Sequence, residues 1–159
     1  MFKPDIKLKE GDVAPDFSAP TSGGGKISLA ELKGKNVILY FYPKDDTSGC
    51  TAEACAFRDA LPDFGKVKAA VIGISRDSVA SHEKFKAKFK LSFPLASDED
   101  GLVCQAYGVW VEKSMYGRKY MGIERSTFLI DGKGVIRKVW RKVKVPGHAE
   151  QVLEAAAAL

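Results

Sequence analysis

The run NVILYFYPKDDTSGCTAEAC, residues 36–55, decides how this chain is read. After Asn36 the segment to Tyr42 is continuously apolar and rich in β-branched and aromatic residues, the pattern of a strand buried on both faces of a sheet. Pro43 ends it, because proline has no N–H to give to a ladder. A polar loop follows from Lys44 to Ser48. From Gly49 to Leu61 the chain turns to helix formers, with Phe57 and Leu61 four apart on one face. Cys50 and Cys55 therefore stand at the start of a helix that follows directly on a buried strand.

Outward from this run the alternation continues. Ala69 to Ser75 (AAVIGIS) predicts a second central strand, and Ser78 to Lys90 an amphipathic helix carrying Phe85 and Phe89. Phe93 to Ala96 predicts a short strand and Glu99 to Tyr107 a short helix containing Cys104. Glu112 to Gly122 is polar and glycine-bearing and shows no clear periodicity. Arg125 to Asp131 and Val135 to Trp140 flank Gly132-Lys133-Gly134 and predict a hairpin. His148 to Leu159 predicts a last, alanine-rich helix. Before the opening strand, Lys9 to Lys26 is an extended lead-in with a turn, and Ser28 to Gly34 a short helix capped by serine. The whole predicts an α/β fold, a central mixed β-sheet flanked by helices, in a single domain over residues 1–159.

The 159 residues include 25 Lys and Arg against 20 Asp and Glu, a formal charge of +5. A hydrophobic share of 45% excludes a disordered or fibrous chain. No apolar run approaches the ~18 residues of a membrane-spanning helix, so no membrane partner is expected. Met1 to Lys7 lacks the apolar stretch of a secretory leader, which points to the cytoplasm. The basic residues are dispersed, as in Lys84, Lys86, Lys88 and Lys90, and predict a solvated surface rather than a nucleic-acid interface. Gly23-Gly24-Gly25 lacks the downstream Gly-Lys-Ser/Thr of a phosphate cradle. His82 and His148 stand apart from other ligand-type residues and are read as surface residues; no metal site is expected.

Three cysteines are too few, and odd in number, for the disulfide framework of a secreted scaffold. Cys50 occupies a strand-to-helix junction, where free backbone N–H groups and the helix dipole favour thiolate over thiol and lower the cysteine pKa. The polar, glycine-bearing approach favours a nucleophile over a small buried hydrophobe. Cys55 lies five residues on, about 140° around an intact helix and about 7.5 Å along it. A disulfide usually needs Cα atoms within about 6.8 Å, so a Cys50–Cys55 bond requires the first helical turns to unwind. Cys104, among Leu102, Val103 and Ala106, is read as a packed thiol.

The segment Phe41-Tyr42-Pro43-Lys44-Asp45-Asp46-Thr47, with Gly49-Cys50-Thr51, Glu53-Ala54-Cys55 and Phe57-Arg58-Asp59, resembles the active-site segment of peroxiredoxins. More narrowly, it resembles the peroxiredoxin Q, or bacterioferritin comigratory protein, subfamily. The pattern P-x-x-x-T-x-x-C is met by Pro43, Thr47 and Cys50. The resemblance extends through Gly73-Ile74-Ser75, Tyr107-Gly108-Val109-Trp110 and Arg125 to Asp131, most of the chain. It implies a thioredoxin-like fold and a thiol peroxidase that reduces hydrogen peroxide and organic hydroperoxides without metal, haem or flavin. Cys50 would be the peroxidatic cysteine, shielded by Pro43. Thr47, Arg125 and the Gly49 and Cys50 amides would supply donors to the peroxide and the charge it develops. Cys55 would resolve the Cys50 sulfenic acid as an intramolecular disulfide, and thioredoxin or a related dithiol would reduce that bond. The subfamily resemblance also implies a monomer.

Glu53 either holds Arg125 by an ion pair or is a solvated helix-surface carboxylate. Ser48 stands where many relatives carry proline, which leaves the helix start less stiff. Cys104 would compete as resolver if Cys55 failed to reach. Two rival readings remain: a general dithiol–disulfide oxidoreductase, which the missing C-x-x-C disfavours, and a non-catalytic redox switch, which would need neither Thr47 nor Arg125.

Overall fold

The computed structural model describes residues 7–159. Met1 to Ile6, on which most of the leader reading rests, lie outside the described residues. The elements run β1 (Ser18–Pro20), β2 (Lys26–Ser28), a 3-10 turn (Ala30–Leu32), β3 (Asn36–Phe41), α1 (Ser48–Lys66), β4 (Ala69–Ser75), α2 (Val79–Phe89), β5 (Leu95–Ser97), α3 (Leu102–Ala106), β6 (Trp110–Met115), β7 (Arg118–Ile123), β8 (Ser126–Ile130), β9 (Ile136–Trp140) and α4 (His148–Ala157).

The central sheet has the order β5-β4-β3-β8-β9. β3 pairs in parallel with β4, and β4 with β5. On its other side β3 meets β8 antiparallel, and β8 meets β9 the same way. The sheet is therefore mixed, as expected, with β3 at its centre. Strand alternation sends Val37, Leu39 and Phe41 into one core and Ile38 and Tyr40 into the other. The second core is covered by Phe57 and Phe64 of α1, Phe85 of α2 and Val152 of α4. The first is closed by Tyr107, Phe17, Leu29 and Val103. Burial on both sides explains the unbroken apolar reading of β3 and β4.

Helix α1 runs past the expected end at Leu61 and contains Pro62. A proline inside a helix costs about 3 kcal/mol. That cost is offset by Phe64, fully buried, and by Val67, packed against the same core; a buried side chain of this size contributes about 1.5–3 kcal/mol. The expected helix over Glu99–Tyr107 contracts to Leu102–Ala106, and the Ser28–Gly34 helix to a 3-10 turn. The lead-in also carries the small hairpin β1–β2.

Two readings need correction. The stretch Glu112–Gly122 lies in the β6–β7 hairpin, turned at Tyr116 and Gly117, both with positive φ (52° and 77°). Such a two-residue turn matches strand twist. The hairpin stands outside the main sheet with most side chains exposed, so it lacks the apolar alternation that announces a strand. His82 and His148 are not surface residues: both are buried. His82 shares the inner face of α2 with Phe85, three residues on, and His148 lies four residues before the buried Val152 of α4.

Gly73 pairs across the sheet with Tyr40. A Cβ there would come within 2.9 Å of the Tyr40 ring and of Leu95. Gly73→Ala is expected to cost about 1–3 kcal/mol through overpacking, read as a lower urea midpoint at unchanged slope.

Candidate active site

The loop from Pro43 to Thr47 joins the end of β3 to α1, and Cys50 is the third residue of that helix. Thr47 is the N-cap residue, but its side chain makes no capping bond. Its hydroxyl instead donates to the Lys44 carbonyl at 2.9 Å. The N–H groups of Ser48, Gly49 and Cys50 have no carbonyl one turn back in the helix, so the helix start keeps donors and a partial positive charge beside the cysteine. Cys50 itself is 1% exposed.

Arg125 reaches the same place from the other side of β3. The antiparallel register sets Phe41 opposite Ser126, which brings the residue before β8 to the end of β3 where the loop begins. One guanidinium nitrogen donates to Cys50 Sγ at 3.3 Å and another to Glu53 Oε1 at 2.7 Å. Glu53 lies three residues from Cys50, on the same helix face, and is buried. Of the two sequence readings of Glu53, the ion pair is the one found. Burial pushes the Glu53 pKa up to about 7, against the opposing charge and hydrogen bond of Arg125. Burial pulls the Arg125 pKa down, but the charges of Glu53 and Cys50 and its hydrogen bonds to both raise it overall, so the guanidinium stays charged. Gly49 makes the approach sterically feasible: a Cβ there would lie 3.2 Å from the Arg125 nitrogen that faces the sulfur.

The expected residues Cys50, Gly49, Glu53 and Arg125 thus come together, with Pro43 and Thr47 on the exposed loop beside them. The exposed Thr47 hydroxyl donates to the Lys44 carbonyl across its own loop. Cys55 is half-buried further along the unbroken α1, with no disulfide to Cys50. Cys104 belongs to the core on the opposite face of the sheet from Cys50. Burial, with a hydrogen bond to and charge from Asp98, raises its thiol pKa strongly. The sheet lies between the two thiols, and Cys104 is fully buried among apolar side chains.

Sequence reasoning missed Lys113, half-buried on β6. Burial and the repulsion of Arg125 lower its pKa, which places a second cation in electrostatic reach of the site. With Pro43, Arg76, Trp110, Tyr120 and Met121 it lines a cleft of about 400 Å³. The residue was hidden in the stretch without periodicity. His148 was also missed: it shares a 2.8 Å hydrogen bond with Thr127, two residues from Arg125. Burial, with the charge of Arg125, lowers its pKa to about 4, so the ring is neutral. Asp45, Asp77 and His82 place metal-type donor atoms within 4.8 Å of one another, but these atoms are engaged in hydrogen bonds.

A family model for the AhpC/TSA family matches residues 11–139, and the chain belongs to that family. It is 55% identical over 148 residues to the putative peroxiredoxin bcp of Coxiella burnetii, covering 93% of this chain and 98% of that one. Peroxiredoxin Bcp of Bacillus subtilis is 48% identical over 149 residues, 94% and 95% of the two chains. Among solved structures, the bacterioferritin comigratory protein of Xanthomonas campestris superposes with a TM-score of 0.89 at 45% identity, over 96% of this chain and 98% of that one. A PrxQ mutant from Xylella fastidiosa gives 0.91 at 43% identity, over the same shares. The fold is accordingly thioredoxin-like, and the chain is a peroxiredoxin of the Bcp type, a thiol peroxidase.

Glu53 and His148 act on stability in opposite directions. The folded chain keeps the Glu53 proton to about pH 7, where the unfolded chain loses it near 4.5, so stability falls as pH rises across that window. Folded His148 stays neutral down to about pH 4, where the unfolded ring takes its proton near 6.5, so stability falls as pH drops across that window. Glu53→Gln removes the first slope and leaves the second. Its urea midpoint should climb between pH 4.5 and 6.5 while that of the parent stays nearer level; two superimposable profiles would show that Glu53 titrates normally. Gly49→Ala should displace Arg125 from the sulfur and reduce peroxide turnover about tenfold, with little change in melting temperature.

Proposed function

We propose that the protein reduces hydrogen peroxide and organic hydroperoxides through Cys50, that Cys55 resolves the oxidised product, and that thioredoxin or a related dithiol restores both thiols. The observation that carries this reading is the single Arg125 guanidinium, which donates to the Cys50 sulfur and is held from behind by Glu53. A cation at 3.3 Å meets negative charge on the sulfur before reaction and on the departing oxygen during it. The Xanthomonas campestris relative is described by its alkyl peroxide reduction activity, and 45% identity supports the same substrate class here.

In the first step the Cys50 thiolate attacks one peroxide oxygen. A sulfur–oxygen bond forms, the oxygen–oxygen bond breaks, and its electron pair leaves with the second oxygen, which takes a proton to become water or an alcohol. The free amides at the start of α1 and the Arg125 guanidinium face this developing charge. Thr47 hydrogen-bonds the peroxide, and Pro43 shields the sulfur from bulk water.

In the second step the Cys55 sulfur attacks the Cys50 sulfenic acid, which releases its oxygen as water and leaves a disulfide. Along an intact α1 the two residues are about 7.5 Å apart in rise and face different sides, so the first turns unwind at this point. Thiol–disulfide exchange with the external dithiol then returns two electrons and two protons. The proposed groups all come from this one chain, so a monomer suffices, and free thiols with an external dithiol suit the cytoplasm. Among the described residues no helix is long and apolar enough to cross a membrane.

Intact-mass and peptide mapping after one equivalent of hydrogen peroxide tests the reading. The parent chain should lose two hydrogens and yield a Cys50–Cys55 disulfide. Cys50→Ser should lose all thioredoxin-supported turnover, and Cys55→Ser should oxidise once at Cys50 and then accumulate sulfenic or overoxidised sulfur. Sustained turnover by Cys50→Ser would refute the assignment.

A further inference from the structure

The loop from Pro43 to Thr47 is exposed along most of its length, but one of its residues, Asp45, is buried. Its carboxylate accepts from the Tyr42 hydroxyl at 2.6 Å, from Ser81 Oγ at 2.8 Å and from His82 Nδ1 at 2.7 Å. Its backbone N–H donates to Asp77 Oδ2 at 2.9 Å, an oxygen that also accepts from Ser75 Oγ. His82 is fully buried, and its Nε2 lies 3.0 Å from the Ala96 carbonyl. A carbonyl can only accept, so Nε2 carries a proton. Burial works to raise the Asp45 pKa, but the hydrogen bonds from His82, Tyr42 and Ser81 hold it below the ordinary carboxylate value. The ionised carboxylate likewise accepts at Nδ1. The ring therefore links β5 on one side to the loop on the other.

The partners of Asp45 share a location. Tyr42 follows β3, Asp77 follows β4 and is itself held by Ser75 at the end of that strand, and Ser81 and His82 lie on α2; none belongs to α1. A second tie, Lys88 to Asp46 at 2.8 Å, also runs from α2 but is exposed and contributes little. The loop is thus fastened to the sheet and to α2, and not to the helix that carries Cys50.

We propose that Asp45 and His82 are positioning residues, which pin the Pro43–Thr47 loop to α2 and the sheet so that its peroxide-facing groups keep their place whether or not the first turns of α1 are wound. This deepens, and rests on, the reading of Cys50 as the reacting sulfur. It separates two properties of the site. Pro43 and Thr47 depend on the pin, whereas the Arg125 contact with sulfur comes from the residue before β8 and from the helix and does not.

Reduced parent protein, His82→Leu, His82→Asn and Tyr42→Phe are compared in two reactions: oxidation by hydrogen peroxide followed by stopped-flow fluorescence, and alkylation of Cys50 by iodoacetamide across pH, with the modified residue mapped by mass. Alkylation needs the sulfur but none of the loop groups. His82→Leu should slow peroxide oxidation about tenfold and leave the alkylation profile unchanged; His82→Asn, which restores a donor towards Asp45, should recover to within about threefold. Tyr42→Phe removes one bond to Asp45 without a change of shape, and should slow oxidation about threefold, again without effect on alkylation. Oxidation of His82→Leu within about twofold of the parent overturns the proposal, as does a joint fall of oxidation and alkylation that His82→Asn does not rescue. Should His82→Leu fail to fold, Tyr42→Phe decides, and parental oxidation in that variant overturns the proposal. Oxidation of the parent at a residue other than Cys50 is seen before any variant is compared; it refutes the site reading itself and this proposal with it.

Discussion

One guanidinium joins the two halves of this molecule's chemistry. Arg125 arrives from the antiparallel half of the sheet, Cys50 and Glu53 from the helix that follows the central parallel strand, and they meet at 3.3 and 2.7 Å. The ion pair lies largely out of water, where the desolvation of two charges offsets most of their attraction. It is therefore better understood as a placement device than as a source of stability. Much nearby follows from it. Gly49 lacks a side chain where the guanidinium passes, Glu53 occupies a core position usually given to an apolar residue, and Thr47 leaves the helix start uncapped, so its amides face the same spot.

The sheet supplies the platform. β3, β4 and β5 are parallel, so their carboxyl ends lie side by side. The groups that hold the Pro43–Thr47 loop come from those ends: Tyr42 after β3, Ser75 and Asp77 at β4, and Ala96 in β5 through His82. Sites in open α/β sheets collect at this edge because each parallel strand must leave the sheet there by a loop. The antiparallel β8 runs the other way, so its beginning, with Arg125, falls at the same edge.

Much of this was legible in the residues. β3, β4 and the β8–β9 hairpin announce themselves through unbroken apolar runs and turn residues, and the setting of Cys50 follows from Pro43, Gly49 and the helix formers beyond. What escaped depended on contacts between segments distant in sequence. Lys113 sits on a hairpin whose exposed strands carry no apolar alternation. His82 looked solitary because Asp45 is 37 positions away in the chain. His82 and Phe85 are three apart on the buried face of α2, but histidine is polar, so the apolar pattern of that helix shows only its phenylalanines. The extent of α1 was misjudged because proline is a strong local stop, and only the burial of Phe64 overrides it.

That proline leaves a mark on how the helix comes apart. Pro62 cannot supply the N–H that would bond the Arg58 carbonyl, so the ladder of α1 lacks one rung a short way beyond Cys55. Helical turns melt together because each bond shares residues with the next. Past the missing rung the helix is anchored by Phe64, and α1 packs along α4. The helix is thus divided at the missing rung into a cysteine end and a stub held by Phe64 and α4, and fraying that starts at Ser48 must free the buried Phe57 before it reaches that division.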